Sequence, residues 1–136
     1  PLYDSAKVMA LIELRKKLIK ACADNNVGIV AGSDAPQVFD VPGFSLHQEL
    51  KYMVDAGLTP YQVLQAATAN VGKYFNDPNM GVIKKDAVAD LVLLNSNPLE
   101  DISHTTDMAG VFSGTSWLSR QAIDERLAQL KGKIKQ

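Results

Sequence analysis

The chain has 136 residues, of which 46% are hydrophobic and 21% are charged, with a formal net charge of -1 at pH 7. Its 14 basic and 15 acidic side chains are interspersed and form no cationic stripe, which argues against nucleic acid or an acidic membrane surface as a partner. No apolar run approaches the ~20 residues of a membrane span, and the single cysteine, Cys22, excludes a disulfide framework and favours a reducing, cytoplasmic location.

The first predicted element is a long helix over residues 4–25. Its apolar side chains recur at intervals of three and four, and Asp4 is placed to cap the first turn. Cys22 falls within this pattern, which predicts a buried and inert thiol. Because the chain opens with Pro1 directly before this helix and has no initiator methionine, we expect it to be a piece of a longer protein.

Residues 27–31 form a short apolar run rich in β-branched side chains, which after a helix predicts a parallel strand covered on both faces. The run stops at Gly32 and delivers a carboxylate, Asp34, at its end. Catalytic and ligand-binding groups of α/β sheets gather beyond the carboxyl ends of the strands, which makes Asp34 a candidate functional residue. The alternative is an aspartate that caps its own turn before Pro36, and the spacing leaves both open.

Two helices follow, each opened by a capping box in which a Ser or Thr is followed three residues later by a Gln. We predict them over residues 45–56 and 59–75, with Gly57 closing the first and Pro60 starting the second. The capping pairs are Ser45 with Gln48 and Thr59 with Gln62.

A run of turn formers at residues 76–79 marks a change of character. After it, apolar residues come in short groups that predict strands. These groups are residues 82–83, 91–94 and 111–112. A last helix is predicted over residues 119–130, and its lysine-rich end suits a helix C-terminus.

The two histidines offer few ways to build a metal site, since zinc takes three or four ligands. His47 and Glu49 are two apart on one helix and point to different faces, unlike the paired histidines of an HExxH motif. His47 follows the loop after the predicted strand and is a candidate substrate-binding residue near Asp34, with a packing role as the alternative. His104 lies in a polar stretch and is predicted to be solvated.

Three segments occur in a fixed order: "GIVAGSDAP", "GFSLHQELKYMVDAGLTPYQVLQAATANVGKYF" and "MGVIKKDAVADLVLLNSNPLED". Together they resemble the C-terminal third of the metal-dependent amidohydrolase superfamily, in its imidazolonepropionase and Xaa-Pro dipeptidase-like branch. The resemblance spans roughly residues 8–102. Each motif alone is weak, whereas the series is specific.

The resemblance implies an α/β fold: the C-terminal segment of a (β/α)8 TIM barrel followed by strands of a small β-sandwich domain. Residues 27–31 would be the eighth strand of the barrel, and the helices at 45–56 and 59–75 would close it. The chain then divides into a barrel portion over 1–80, sandwich strands over 81–118 and a C-terminal helix over 119–136.

The resemblance also implies a metal-dependent hydrolase that cleaves C–N bonds in a small-molecule amide, cyclic amide or dipeptide-like substrate. Asp34 matches the aspartate that in this family binds the metal, here expected to be zinc, and carries a proton from the attacking water to the departing nitrogen. The other metal ligands of the family have no counterpart in this chain. We therefore expect the isolated chain to bind no metal, to be inactive, and to associate with the rest of the barrel or with a copy of itself.

Three details of this chain differ from the family pattern or add to it. The family commonly has a Gly-Lys turn before the strand predicted at residues 91–94, whereas this chain has Asp86 there, and we expect Asp86 to take the left-handed conformation. Asp90 is predicted to close a turn before its strand. The closing hairpin is reduced to "GVFSGTSWLSR".

A function of a different class stays open, namely a noncatalytic α/β module that binds a partner at Asp34. A receiver-like phosphoacceptor is one version of it, and that version needs a parallel sheet with further acidic residues. The apolar loop residues Val38, Phe39 and Val41 suggest an uncharged substrate portion, but they could equally pack on the barrel.

Overall fold

Helices occupy the first part of the chain and a small sheet follows them. The computed structural model describes residues 4–134. In chain order the elements are α1 (Ser5–Asp24), α2 (Ser45–Asp55), α3 (Pro60–Ala67), α4 (Ala69–Tyr74), β1 (Asp90–Leu94), a 3-10 helix (Ile102–Thr106), β2 (Met108–Ser113), β3 (Ser116–Ser119) and α5 (Arg120–Ile134). The fold is therefore mixed α/β, as expected.

The helix α1 confirms the first predicted element. The Asp4 carboxylate accepts hydrogen bonds from the amides of Ala6 and Lys7, and the helix ends at Asp24. No α1 residue is fully buried, although the helix carries many apolar side chains. Cys22 is half-buried, so its predicted burial is only partial. None of the helices within residues 4–134 is long and apolar enough to cross a membrane.

Residues 27–31 do not form the predicted β-strand. A strand requires a neighbour to complete its hydrogen-bond ladder, and within the described part of the chain this segment has none. Two helices hold it instead. The Ala31 amide donates to the Ala66 carbonyl at 3.0 Å, and the Asn70 side-chain amide donates to the Ile29 carbonyl at 2.9 Å.

The helix α2 has the predicted extent but not the predicted cap. Phe44 occupies the N-cap position, and no side chain caps the helix there. The capping box of Ser45 with Gln48 is wrong because Ser45 is already helical, its amide donating to the Val41 carbonyl at 3.0 Å. At the other end Gly57 has a φ of +101°, which confirms it as the residue that closes the helix.

The predicted helix over residues 59–75 begins as expected and then breaks. Thr59 and Gln62 form the capping box, each accepting a hydrogen bond from the other's main-chain amide. The break falls at Thr68, where φ is -133° and ψ is -92°, and it separates α3 from α4. The Thr68 hydroxyl donates to the Leu64 carbonyl at 2.6 Å, a side-chain bond that competes with helical hydrogen bonding.

The turn after α4 packs back on the helices. A methyl group on Gly72 would overlap the Met80 carbonyl oxygen and lie 2.8 Å from that of Asp77. A methyl group on Gly81, where φ is +69°, would overlap the Thr68 carbonyl. Both positions require glycine because any side chain would overlap main-chain atoms, so the turn packs closely against the break between α3 and α4.

The three strands form one antiparallel sheet in the order β1-β2-β3. The predicted strands at residues 91–94 and 111–112 are confirmed as parts of β1 and β2, whereas residues 82–83 form no strand. The reduced hairpin supplies β3. The described residues contain no parallel sheet of the kind a receiver-like module needs, and the β-sandwich, which requires a second sheet, stays a prediction.

Side chains at the ends of the sheet have structural roles. Asp90 does not close a turn before its own strand; its carboxylate accepts hydrogen bonds from the Ser113 hydroxyl at 2.8 Å and the Gly114 amide at 3.2 Å, at the neighbouring turn. Asp86 has a φ of +66°, which confirms its left-handed conformation.

The helix α5 packs on β2 and β3 and runs beyond its predicted end at residue 130.

The buried core lies between α2, α3 and the 3-10 helix. Its members are Leu50, Met53, Leu58, Val63, Ala66 and Ile102. Residues 27–31 pack against this cluster through Ile29 and Ala31. Other large apolar side chains lie outside it and are strongly exposed, including Val38, Phe39 and Ile83 at 82%, 97% and 91%.

A histidine joins the helical part to the 3-10 helix. The His47 Nδ1 atom lies 3.0 Å from the Thr105 hydroxyl, which itself donates to the Ile102 carbonyl at 2.8 Å. Because the Thr105 hydroxyl already donates its one hydrogen to Ile102, its oxygen accepts a hydrogen bond from His47 Nδ1–H. Burial of the ring lowers the pKa of His47 below its usual value.

We predict that Gly72→Ala destabilises the chain by up to about 2 kcal/mol. The added methyl overpacks the turn at a cost of about 1–3 kcal/mol, and the better helix propensity of alanine offsets only ~1 kcal/mol of it. Urea unfolding measures it. Gly132→Ala is the matched control, since a methyl group there meets nothing within 4 Å. A Gly72→Ala chain as stable as the wild type would contradict the packing.

We also predict that the unfolding free energy falls as the pH is lowered from about 7.5 to about 5.5, through the range in which an exposed histidine gains its proton. Burial depresses the pKa of His47 in the folded chain, so the unfolded chain binds more protons in this range and is favoured as the pH falls. His47→Gln removes this contribution and flattens the curve measured by urea unfolding. Identical slopes for wild type and variant would contradict it.

Candidate active site

The corner at residues 32–34 follows the segment that the helices hold. The Gly32 amide donates to Glu49 Oε1 on α2 at 3.0 Å, which attaches the corner to that helix. Asp34 has a φ of +52°, a left-handed conformation that aspartate adopts more readily than most residues. The structure therefore presents Asp34, with an exposed side chain, directly after an anchored backbone.

The Asp34 carboxylate takes no part in the side-chain hydrogen bonds formed within residues 4–134. An aspartate that capped its own turn would accept from an amide just downstream, as Asp101 does from the Ser103 amide at 2.8 Å. The geometry of the described residues thus gives no support to the turn-capping alternative for Asp34.

Glu49, which the sequence excludes from a local zinc motif with His47, lies at the site through a contact that the sequence patterns do not predict. One carboxylate oxygen accepts the Gly32 amide, while Oε2 is buried and, within the described residues, has no hydrogen-bond partner. The available signal was a charged residue directly before Leu50, which is buried in the core. Helical periodicity records which face is apolar, but it does not indicate a carboxylate turned toward a distant loop.

A cleft of about 590 Å³ lies beside the corner. Its lining includes Gly32, Ser33, Phe39, Val41, Glu49 and Tyr52. Phe39 has a φ of +71° and is 97% exposed, which is uncommon for an aromatic residue. Of the three apolar loop residues that the sequence associates with the substrate, Phe39 and Val41 line this cleft.

Neither histidine lies in the lining of this cleft. The His47 ring contacts Thr105, which supports its packing role, and substrate binding by His47 stays a prediction. His104, predicted to be solvated, is partly exposed, and its Nδ1 atom lies 2.8 Å from the Asn97 carbonyl oxygen.

A complete metal site is not formed by residues 4–134, among which no group of three or more His, Cys, Asp and Glu side chains could hold a metal ion. A catalytic zinc takes three protein ligands. Asp34 can supply one of them. The described residues can therefore provide one ligand of a metal site, and the others would have to come from elsewhere in the enzyme.

Comparison with known proteins gives a consistent family. The amidohydrolase family pattern matches residues 6–133. Ochratoxinase of Aspergillus niger is 33% identical over 100 residues, which cover 71% of this chain and 20% of ochratoxinase.

Solved structures agree in fold. The crystal structure of a Xaa-Pro dipeptidase with methionine bound in its active site superposes with a TM-score of 0.68 at 26% identity, covering 76% of this chain and 25% of the dipeptidase. Molinate hydrolase superposes with a TM-score of 0.60 at 24% identity, covering 76% of this chain and 25% of that protein, a likeness of fold alone.

The chain thus spans about a fifth of ochratoxinase and a quarter of each of these two solved structures. The family match covers nearly all of the described residues, and it includes the corner at residues 32–34 and the sheet. The chain belongs to the amidohydrolase family.

Proposed function

We propose that this chain is the C-terminal part of a metal-dependent hydrolase that cleaves amide C–N bonds, with Asp34 as its proton carrier. The observation that carries the proposal is the Asp34 carboxylate itself. It is exposed, has no hydrogen bond within residues 4–134, and follows a backbone anchored by the Gly32–Glu49 contact. Membership of the amidohydrolase family supports the reaction class.

Residues 27–31 are proposed as the eighth strand of a (β/α)8 barrel. Their packing against the core and their bonds to α3 and α4 support this, because barrel strands are covered by helices on the outside. The neighbouring strands come from the rest of the enzyme. In this proposal the barrel portion covers residues 1–80, the sandwich strands 81–118 and the C-terminal helix 119–136.

Asp34 performs the proton transfers of amide hydrolysis. As a general base its carboxylate takes a proton from the attacking water, and as a general acid it returns that proton to the leaving nitrogen. The same side chain contributes one oxygen ligand to the metal, expected to be zinc. The metal supplies Lewis acidity, which lowers the pKa of water and polarises the amide carbonyl.

The substrate class is proposed as a small amide or dipeptide-like molecule. Two relatives support it by name, one an ochratoxinase and the other a Xaa-Pro dipeptidase. Phe39 and Val41 line the cleft beside the corner, which is compatible with an uncharged substrate portion packing there. The remaining barrel, or a second copy of this chain, is the partner proposed for the exposed apolar surface.

We predict that Asp34→Asn in the complete enzyme lowers kcat by about 10²–10⁴, because an amide cannot carry the proton. Hydrolysis of a panel of Xaa-Pro dipeptides and N-acyl amino acids measures this. Asp55→Asn is the matched control, since Asp55 is an exposed carboxylate at the far end of α2, and this variant is expected to keep wild-type turnover. Full activity in Asp34→Asn would sink the assignment.

We predict further that the isolated chain retains no stoichiometric zinc after dialysis, because one carboxylate without companion ligands does not complete a zinc site. Metal analysis measures the content, and the complete enzyme is the control, with at least one ion per chain. Stoichiometric zinc in the isolated chain would contradict a site shared with the rest of the barrel.

A further inference from the structure

We propose that Glu49 is the positioning residue for Asp34, and that its second oxygen accepts a hydrogen bond from a donor in the remainder of the barrel. The role rests on the proposed function of Asp34. Glu49 acts through the backbone: its Oε1 holds the Gly32 amide at 3.0 Å, two residues before Asp34. Glu49 itself does not touch the reacting atoms.

Burying the second carboxylate oxygen of Glu49 costs folding free energy unless that oxygen accepts a hydrogen bond. Its Oε2 is buried, and within residues 4–134 it has no partner. Buried polar atoms are nearly always hydrogen-bonded, since leaving one unpaired forfeits its solvation. An apolar side chain beside the buried Leu50 would avoid this cost, so the carboxylate is best explained by a second partner.

The chemistry of that partner follows from the atom that it meets. A carboxylate oxygen accepts hydrogen bonds, so the partner is an N–H or O–H group. Residues 27–31 pair with no other strand within the described residues, so in the barrel a neighbouring strand would run beside this corner. In this proposal a donor on that strand forms a hydrogen bond with Glu49 Oε2 and so holds the corner from the barrel side.

Glutamine at this position separates the two contacts. Its side-chain oxygen can still accept the Gly32 amide, but its NH₂ group then faces the barrel donor and repels it. Alanine removes both contacts. The two variants therefore report independently on two contacts. One is the hydrogen bond between the Gly32 amide and Glu49 within this chain, here called the clamp, and the other is the contact of Glu49 with the rest of the barrel.

The clamp is tested on the isolated chain by amide hydrogen exchange measured by NMR. The expected result is that Gly32 exchanges at least tenfold faster in Glu49→Ala than in wild type and at the wild-type rate in Glu49→Gln. Equal exchange of the Gly32 amide in wild type and Glu49→Ala would overturn the clamp, whether or not the complete enzyme is a hydrolase.

The second contact is tested on the complete, zinc-loaded enzyme with the same dipeptide panel. Loss of an outer-shell partner commonly costs about 10–100-fold in activity, so Glu49→Gln is expected to lower kcat by that factor while KM stays within twofold. Glu125→Gln is the matched control, an exposed glutamate on α5 that accepts from Gln121 at 2.9 Å. Wild-type kcat in folded Glu49→Gln would overturn the contact.

Failure of the proposed function gives a different result. If Asp34→Asn keeps full turnover, the proton-carrying role fails, and with it the catalytic purpose of Glu49. The exchange rate of Gly32 still decides whether the clamp exists. A merely structural role for Glu49 would lower the melting temperature of Glu49→Gln and leave kcat per folded, metal-loaded enzyme unchanged, which also overturns the proposal.

Discussion

Hydrogen bonding of the main chain at residues 27–32 is the constraint on which the site depends. Main-chain amides and carbonyls that leave water need partners, and in this chain those partners lie on helices. Ala31 and Gly32 donate to α3 and α2, and Ile29 accepts from a side chain of α4. These three bonds attach one segment to three helices, and Asp34 lies two residues after the segment ends.

The same arrangement explains why so much apolar surface lies outside the core. The segment is hydrogen-bonded to helices, and the strands that would flank it in a barrel are not among residues 4–134. The helix α1 has no fully buried residue, and Phe39 and Ile83 are almost fully exposed. In the proposed enzyme these surfaces meet the remainder of the barrel, which also supplies the other metal ligands.

Local signals in the sequence were sufficient for much of the fold. The Asp4 cap, the capping box of Thr59 with Gln62 and the left-handed Asp86 each depend on residues a few positions apart, and each is confirmed. The family was also recognisable, because its motifs occur in order along the chain. The candidate site was predicted only as far as Asp34, whose role stays a proposal.

Features set by distant contacts could not be predicted. The break at Thr68 coincides with the close approach of Gly81, thirteen positions away, which no helical periodicity records. Residues 27–31 have strand-like composition, but a strand exists only where a neighbour completes its ladder. The sequence excludes Glu49 only as half of a local zinc motif with His47, and its contact with Gly32 could not be predicted because it crosses seventeen positions.

We propose that Asp34 binds the metal of a (β/α)8 barrel whose eighth strand is residues 27–31. A crystal structure of the complete enzyme, with anomalous diffraction recorded at the zinc edge, tests it most directly. We expect a metal peak about 2.0–2.2 Å from an Asp34 carboxylate oxygen, with residues 27–31 paired between two parallel strands. A metal bound away from Asp34, or a segment 27–31 without strand neighbours, would contradict it.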